Sequence, residues 1–271
     1  MVDRPPQESE GASVSDARAR RSSGDRLLDI LGVFTPGRSA LTLTEIAGHT
    51  GLPLTTAHRL VATLARWGAL ERGDDGVYHV GLRLWEVASL APRGVGLREA
   101  AMPFLEDLYE ATHENVQLAV RDGMDAVYVE RIFGRSAVGV HTRVGARWPL
   151  HATGVGLVLL AYGPAELQEA YCARPLERFT RFTVTDPGEL RRVLAQVRLE
   201  NCAVSSRQIT EDAVSVAAPV RDTKGAVTAA VSLVVPAAGT DPRRLIAAVR
   251  FAGLGIGRAL GGDAGGGPDD A

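Results

Sequence analysis

Apolar residues in the N-terminal third recur at the three-to-four spacing of amphipathic helices. Positions 27, 28, 30, 31 and 34 predict a first helix over Asp25–Phe34, ended by Pro36-Gly37. From Thr42 to Trp67 the pattern predicts two short helices joined by a tight turn. Thr44 is placed as N-cap of the first, where a hydroxyl satisfies an orphan N–H. Ala47 is small where helices approach, Gly51 tolerates positive φ in the turn, and Pro53 suits the start of the second helix. Ala57, Leu60, Val61 and Leu64 form its buried face, and Thr55, Thr56, His58, Arg59 and Arg66 its polar face. This pattern describes a helix-turn-helix whose second helix offers hydroxyls and an arginine to a DNA major groove. Two short extended runs, Leu70–Arg72 and Val77–Val80, flank Asp74-Asp75-Gly76, a hairpin signal. A hairpin directly after a recognition helix is a wing, which would bring Arg72 and Tyr78 to phosphates. Gly81–Leu90 follows as a linker helix, broken by Pro92–Gly96.

The pattern then changes. Leu97–His113 predicts a long helix interrupted by Pro103. From Asn115 apolar and polar residues alternate around Asp122-Gly123, a second hairpin, with a further strand expected at Val138–His141 and a loop at Gly145–Pro149. His151–Tyr162 reads as a buried helix with a small-residue start, and Pro164–Cys172 and Pro187–Leu199 as further helices. Ala203–Gln208, Val214–Arg221 and Val227–Val235 read as strands, before a last helix capped by Asp241. Strands joined by hairpins favour an antiparallel sheet covered by helices, hence an α+β fold. The organisation expected is a tail over 1–22, a winged helix-turn-helix over 23–81, a linker helix over 82–96, a second domain over 97–261 and a tail over 262–271.

Composition bounds the chemistry. Of 271 residues 45% are hydrophobic, enough for two cores. No apolar run approaches the roughly 18–20 residues of a membrane span, and the N-terminus lacks the apolar segment of a secretory signal, so no membrane partner and a cytoplasmic location are expected. Cys172 and Cys202 make neither a disulfide framework nor a metal cluster. Net charge is −2 overall, yet from Arg18 to Arg72 eight arginines face four acids, a local cationic patch. The run Arg18-Ala-Arg20-Arg21 could serve DNA or simply solubilise a tail.

No nucleophile elbow, P-loop or zinc-protease motif occurs, and no cofactor, metal or catalytic set is expected. His151 reads as a satisfied structural histidine. If a helix starts near Thr153, its free N–H groups and dipole suit a carboxylate, and Gly154 leaves the approach open. The same glycines, Gly154 and Gly156, could instead serve tight packing, and Arg143 and Arg147 could lend charge or lie on the surface.

The span from about Arg26 to Leu260 resembles the IclR family of bacterial transcriptional regulators. The segments that carry this are LTEIAGHTGLPLTTAHRLVATLARWGAL with a wing ending VYHVG, then GARWPLHATGVGLVLLAY, then AAPVRDTKGAVTAAVSLVVP. The resemblance implies an N-terminal winged helix and a C-terminal GAF-like domain binding a small effector. It implies homodimers, able to pair into tetramers on operator DNA, with the linker helix helping to pair subunits. It sets Thr55, Thr56, His58 and Arg59 against DNA. It sets Thr153, Gly154, Val155 and Ser232 at the effector, with Glu211 or Asp212 as an acidic neighbour. Pro219, Val234, Trp148 and Val140 would add apolar wall, so an aromatic or longer acid is as compatible as a short keto acid. The alternative class is a sensor or enzyme whose N-terminal helices serve only for oligomerisation.

Overall fold

The computed structural model describes residues 22–91, 94–134 and 142–262, which fall into two compact units divided between Ala91 and Pro92. The first unit runs α1 (Ser23–Gly32), β1 (Ala40–Leu41), α2 (Leu43–Thr50), α3 (Leu54–Trp67), β2 (Leu70–Arg72), β3 (Tyr78–Val80) and α4 (Leu82–Ala88). Ile30, Ile46, Leu60, Val61 and Leu70 close one small core between the helices and the strands. The turn between α2 and α3 depends on Gly51, at φ 67°, where an L side chain would be strained. The cap of α2 is Thr42, not Thr44. Glu45 stands three residues after Thr42 and returns its carboxylate to the Thr42 N–H at 2.8 Å, completing a capping box. Thr44 has only Ala47 at the equivalent place, and it lies exposed in the first turn. The wing holds three strands in the order β1-β3-β2, because Ala40 and Leu41 pair with His79 and Tyr78. Two residues are too short a run for periodicity to reveal.

The second unit starts with α5 (Val95–Thr112). Its strands are β4 (Asn115–Asp122), β5 (Asp125–Ile132), β6 (Arg147–Pro149), β7 (Ala203–Ser206), β8 (Ala213–Arg221) and β9 (Val227–Pro236). Between β6 and β7 come α6 (Gly154–Ala161), α7 (Ala165–Cys172) and α8 (Pro187–Glu200), and α9 (Ile246–Gly262) ends the unit. The strands form one antiparallel sheet in the order β6-β5-β4-β9-β8-β7. Val116, Leu118, Val216, Val231 and Leu233 face α5 and α9, while Ala119, Ala217 and Ala230 face α6. Small residues on the α6 side let that helix, buried along its whole length, lie close to the sheet.

Three expectations change here. Pro103 does not interrupt α5, which is continuous through it, because it sits on the exposed side where water can satisfy the freed carbonyl. Arg147–Pro149 is a strand rather than a loop, paired with Asp125–Val127. The strand expected at Val138–His141 lies outside the described residues, as do both tails beyond Ser22 and Gly262. Asp241 caps a short 3-10 turn, Pro242–Leu245, that leads into α9.

Against the expectation that no apolar run approaches a membrane span, the segment Pro242–Gly262 is long and apolar enough to cross one by length and composition. It is also a layer of this unit. A Cβ on Gly253 would lie 2.7 Å from the Pro219 carbonyl oxygen, and one on Gly257 would lie 2.6 Å from that of Arg221. Glycines therefore set α9 directly on the backbone of β8.

Candidate DNA-reading face and effector cavity

On α3 the residues Thr55, His58, Arg59 and Arg66 are exposed and Thr56 half-buried, while Ala57, Leu60, Val61 and Leu64 point into the core. The helical repeat thus collects the polar side chains on one solvent-facing stripe. Among the described residues the Arg59 guanidinium has no hydrogen-bond or ion-pair partner; only its carbonyl is engaged, accepting from the Thr63 hydroxyl at 3.1 Å. Arg66 donates to the Thr63 hydroxyl at 3.4 Å. Arg72 is exposed on the wing with its guanidinium over the Tyr78 ring, 5.8 Å from the centroid. Tyr78 departs from expectation. It is buried in the core of this unit, because β1 covers the side of β3 that the two-stranded reading left open.

In the second unit a cavity opens between the start of α6 and the inner face of the sheet. Thr153 caps α6, its hydroxyl accepting from the Gly156 N–H at 3.0 Å, and the helix begins at the cavity wall, where Thr153 and Gly154 both line it and the Gly154 and Val155 N–H groups have no partner within the helix. A Cβ on Gly154 would fall 2.5 Å from Ser215 Oγ, so only glycine lets α6 begin this close to β8. Trp148, Thr153 and Gly154 line the cavity, together with Val234 from β9. Residues the sequence reading missed complete it: Gln117 from β4, Tyr128 from β5, Thr142, and Ser205 and Ser215 from β7 and β8. Ala152, Gln208, Ile209, Thr210 and Ala213 close the remaining side. The cavity encloses about 50 Å³.

The signal for these residues was present but faint. On β4 the polar Asn115 and Gln117 alternate with Val116 and Leu118, and on β8 Ser215 alternates with Val214 and Val216. Buried polar residues on one face of a central strand need partners, and a ligand can supply them.

Several expected effector residues lie elsewhere. Val155 turns into the core beneath α6, since its neighbour Gly154 occupies the cavity side. Pro219 sits further along β8 against α9. Glu211 and Asp212 are exposed on the turn before β8, and Glu211 pairs with Arg181 at 3.3 Å on the surface. Arg147 is held by Asp122 at 2.8 Å and Asp125 at 3.3 Å, and Arg143 is exposed, so neither enters the cavity. Ser232 is not among the lining residues, but it shares the cavity-side face of the sheet, opposite Gln117 and Ala217, fully buried with an Oγ that has no hydrogen-bond partner. Val140 lies outside the described residues.

Electrostatically the cavity is neutral, with polar side chains set in a mainly apolar wall. Among the described lining residues none is charged. Burial pushes the Tyr128 phenol well above its ordinary range, with a hydrogen bond to Thr153 pulling weakly the other way. His151 is engaged on both ring nitrogens, by the Tyr171 hydroxyl at 3.1 Å and the Glu177 carbonyl at 2.9 Å. The carbonyl requires an N–H at Nε2, and burial holds the imidazole pKa below its ordinary value, so the ring is a neutral structural brace.

Both units match known families. Residues 23–74 match the IclR helix-turn-helix domain, and residues 91–256 match the C-terminal domain of bacterial IclR transcriptional regulators. The regulator XynR of Escherichia coli K12 is 32% identical over 244 residues, covering 88% of this chain and 97% of XynR. BhcR of Paracoccus denitrificans is 34% identical over 225 residues, covering 82% of this chain and 80% of BhcR. Among solved structures, an IclR homologue from Microbacterium hydrocarbonoxydans complexed with 4-hydroxybenzoate superposes with a TM-score of 0.85 at 35% identity, covering 88% of this chain and 99% of that one. A helix-turn-helix with a free polar face, a cavity closed by a helix N-terminus and these matches over both units agree: the chain belongs to the IclR family of bacterial transcriptional regulators, with an N-terminal DNA-binding domain and a C-terminal effector-binding domain.

Proposed function

We propose that this regulator binds a pseudo-palindromic operator as a symmetric dimer in the bacterial cytoplasm, and that a monocarboxylic acid in the cavity changes its operator affinity. Thr55, Thr56, His58 and Arg59 of α3 read base edges, Arg66 and Arg72 meet phosphates, and Thr44 approaches the backbone at the start of α2. The observation that carries this assignment is the stripe on α3, where hydroxyls and an unengaged arginine share one exposed face. A dimer is supported by α4, whose Leu82 and Trp85 are both 63% exposed beside Val80, an apolar surface of the kind a second subunit covers. The acid is supported by the α6 N-terminus, whose dipole and free N–H groups attract a carboxylate, and by the 4-hydroxybenzoate bound in the Microbacterium relative. The names of the curated relatives support a regulator rather than a catalyst.

Fluorescence anisotropy with a palindrome-containing upstream fragment and a scrambled control, at one stated salt concentration, tests the reading. A strong preference for the palindrome that shifts on adding 4-hydroxybenzoate is the expected result. Equal binding to both fragments would favour the alternative, in which the N-terminal helices only bring subunits together.

A further inference from the structure

The cavity has a second polar end, remote from α6. Gln117 lies across from Arg131 on β5 and Ser232 on β9, and Ser232 in turn lies across from Ala217 on β8. Ala217 is where α6 touches the sheet, since a Cβ on Gly154 would come 3.3 Å from its side chain. Gln117 is therefore two strand spacings, roughly 9.5 Å, from the α6 contact. Its amide is anchored. Nε2 donates to Thr142 Oγ1 at 2.6 Å, and the Thr142 carbonyl accepts from Arg131 Nη1 at 2.5 Å. Arg131 is held further by Asn115 Oδ1 at 3.0 Å and by stacking on Phe133, 4.1 Å from the ring centroid. A shift in the β4–β5 pairing between Leu118 and Ala119 turns Arg131 onto the cavity side of the sheet, beside Gln117. Among the described residues no carboxylate pairs with this guanidinium, and its Nε is buried without a partner.

With Nε2 committed to Thr142, the Gln117 Oε1 is left as an acceptor on the cavity wall, where no described residue donates to it. We propose that Gln117 is the specificity-determining residue for the effector, accepting a hydrogen bond from a hydroxyl at the end of the ligand opposite its carboxylate. The inference rests on the cavity being the effector site and names the class of effector: a hydroxylated monocarboxylic acid whose two functions lie about one ring apart. Arg131 is a positioning residue that fixes Thr142 and, through it, the direction of the amide. A two-carbon acid is too short to meet both ends. A deoxy analogue leaves Oε1 unpaired, and a methyl ether presents no donor.

Isothermal titration of the full chain with 4-hydroxybenzoate, benzoate and 4-methoxybenzoate tests this. The expected result is about tenfold or more tighter binding of the hydroxy acid than of either analogue, since a site built to bond a hydroxyl rejects ligands that lack it. Gln117→Leu, checked for folding by its melting curve, should bring the three affinities together, chiefly by weakening 4-hydroxybenzoate. Equal binding of all three by the wild-type protein overturns the assignment of Gln117 and leaves the effector site standing. Binding of none of the three overturns the assignment together with the ring-sized acid reading beneath it. A preference that survives Gln117→Leu moves the hydroxyl contact to another residue and overturns the role of Gln117.

Discussion

The two units present their polar groups in opposite ways. In the first, the groups that matter stand on the outside of one helix, and the core exists to hold that helix at the surface. In the second, they stand inside, on strands β4, β5, β7 and β8 and at the start of α6, and the surface exists to enclose them. An exposed stripe tolerates changes in its members one at a time, because each side chain has water to fall back on. An enclosed site does not, because every buried polar atom needs a partner. Changes in the cavity should therefore be steep and all-or-none, and changes on α3 graded.

The largest expected effect is at Gly154. Gly154→Arg places a Cβ against Ser215 Oγ and a guanidinium across the cavity, and effector affinity should fall by about a hundredfold or more, the scale of losing 3 kcal/mol of contacts. Calorimetry gives the loss, and operator binding without effector should be retained. Unchanged ligand affinity would place the effector outside this cavity.

Next is Arg59→Ala, expected to cost about 1–3 kcal/mol of specific operator binding, with effector affinity unmoved. A mobility-shift titration reads it. An undiminished operator affinity would remove Arg59 from the reading face.

Thr42→Ala is smaller. Breaking the capping box should cost about 1 kcal/mol, and hence roughly 4–8 °C in the melting of a domain the size of the first unit. Thr44→Ala should leave the melting temperature nearly unchanged, and the reverse ranking would return the cap to Thr44.

The finest contrast is in acid. His151 is buried and neutral in the folded chain, with its pKa lowered by desolvation. The unfolded chain takes up that proton first, so the contribution of His151 is complete above about pH 6.5 and is lost as pH falls through the lowered folded value. Glu45 is lowered by the Thr42 N–H and hydroxyl, so its contribution persists down to about pH 4.5 and fades only below that. Melting between pH 7 and 5 should soften the second unit before the first, and His151→Gln should flatten that early slope.

Legibility in the sequence followed locality. The helix-turn-helix was readable because its signals lie within one stretch: Gly51 in the turn, and the alternation of Ala57, Leu60, Val61 and Leu64 with Thr55, His58 and Arg59. The cap was misplaced by two residues because Thr42 and Thr44 both precede an apolar run, and only Glu45 distinguishes them. The cap of α6 at Thr153 and the opening at Gly154 were readable for the same local reason. The far wall was not. Gln117, Thr142 and Ser215 come together only through strand order and register, which spacing along the chain does not encode. Glu211 and Asp212 were drawn to the cavity by their place in sequence, yet the turn that carries Ile209 and Thr210 into the lining points the two carboxylates to water.

The seam between α9 and β8 has a consequence for how this chain can evolve. Any single-base missense change of a glycine codon adds at least a Cβ. At Gly253 and Gly257 that atom would meet a backbone carbonyl, which has no rotamer in which to retreat. Gly261 faces only the methyl of Thr223, which can turn aside. The inner side of α9 thus has two positions with almost no permitted neighbours in sequence space. The outer side, with Phe251 at 72% and Leu254 at 54% exposure, is free of that restriction. Substitutions accumulating in this helix across related chains should therefore be confined to its outer side, and a lineage that lost Gly253 or Gly257 would have to move the whole helix to survive it.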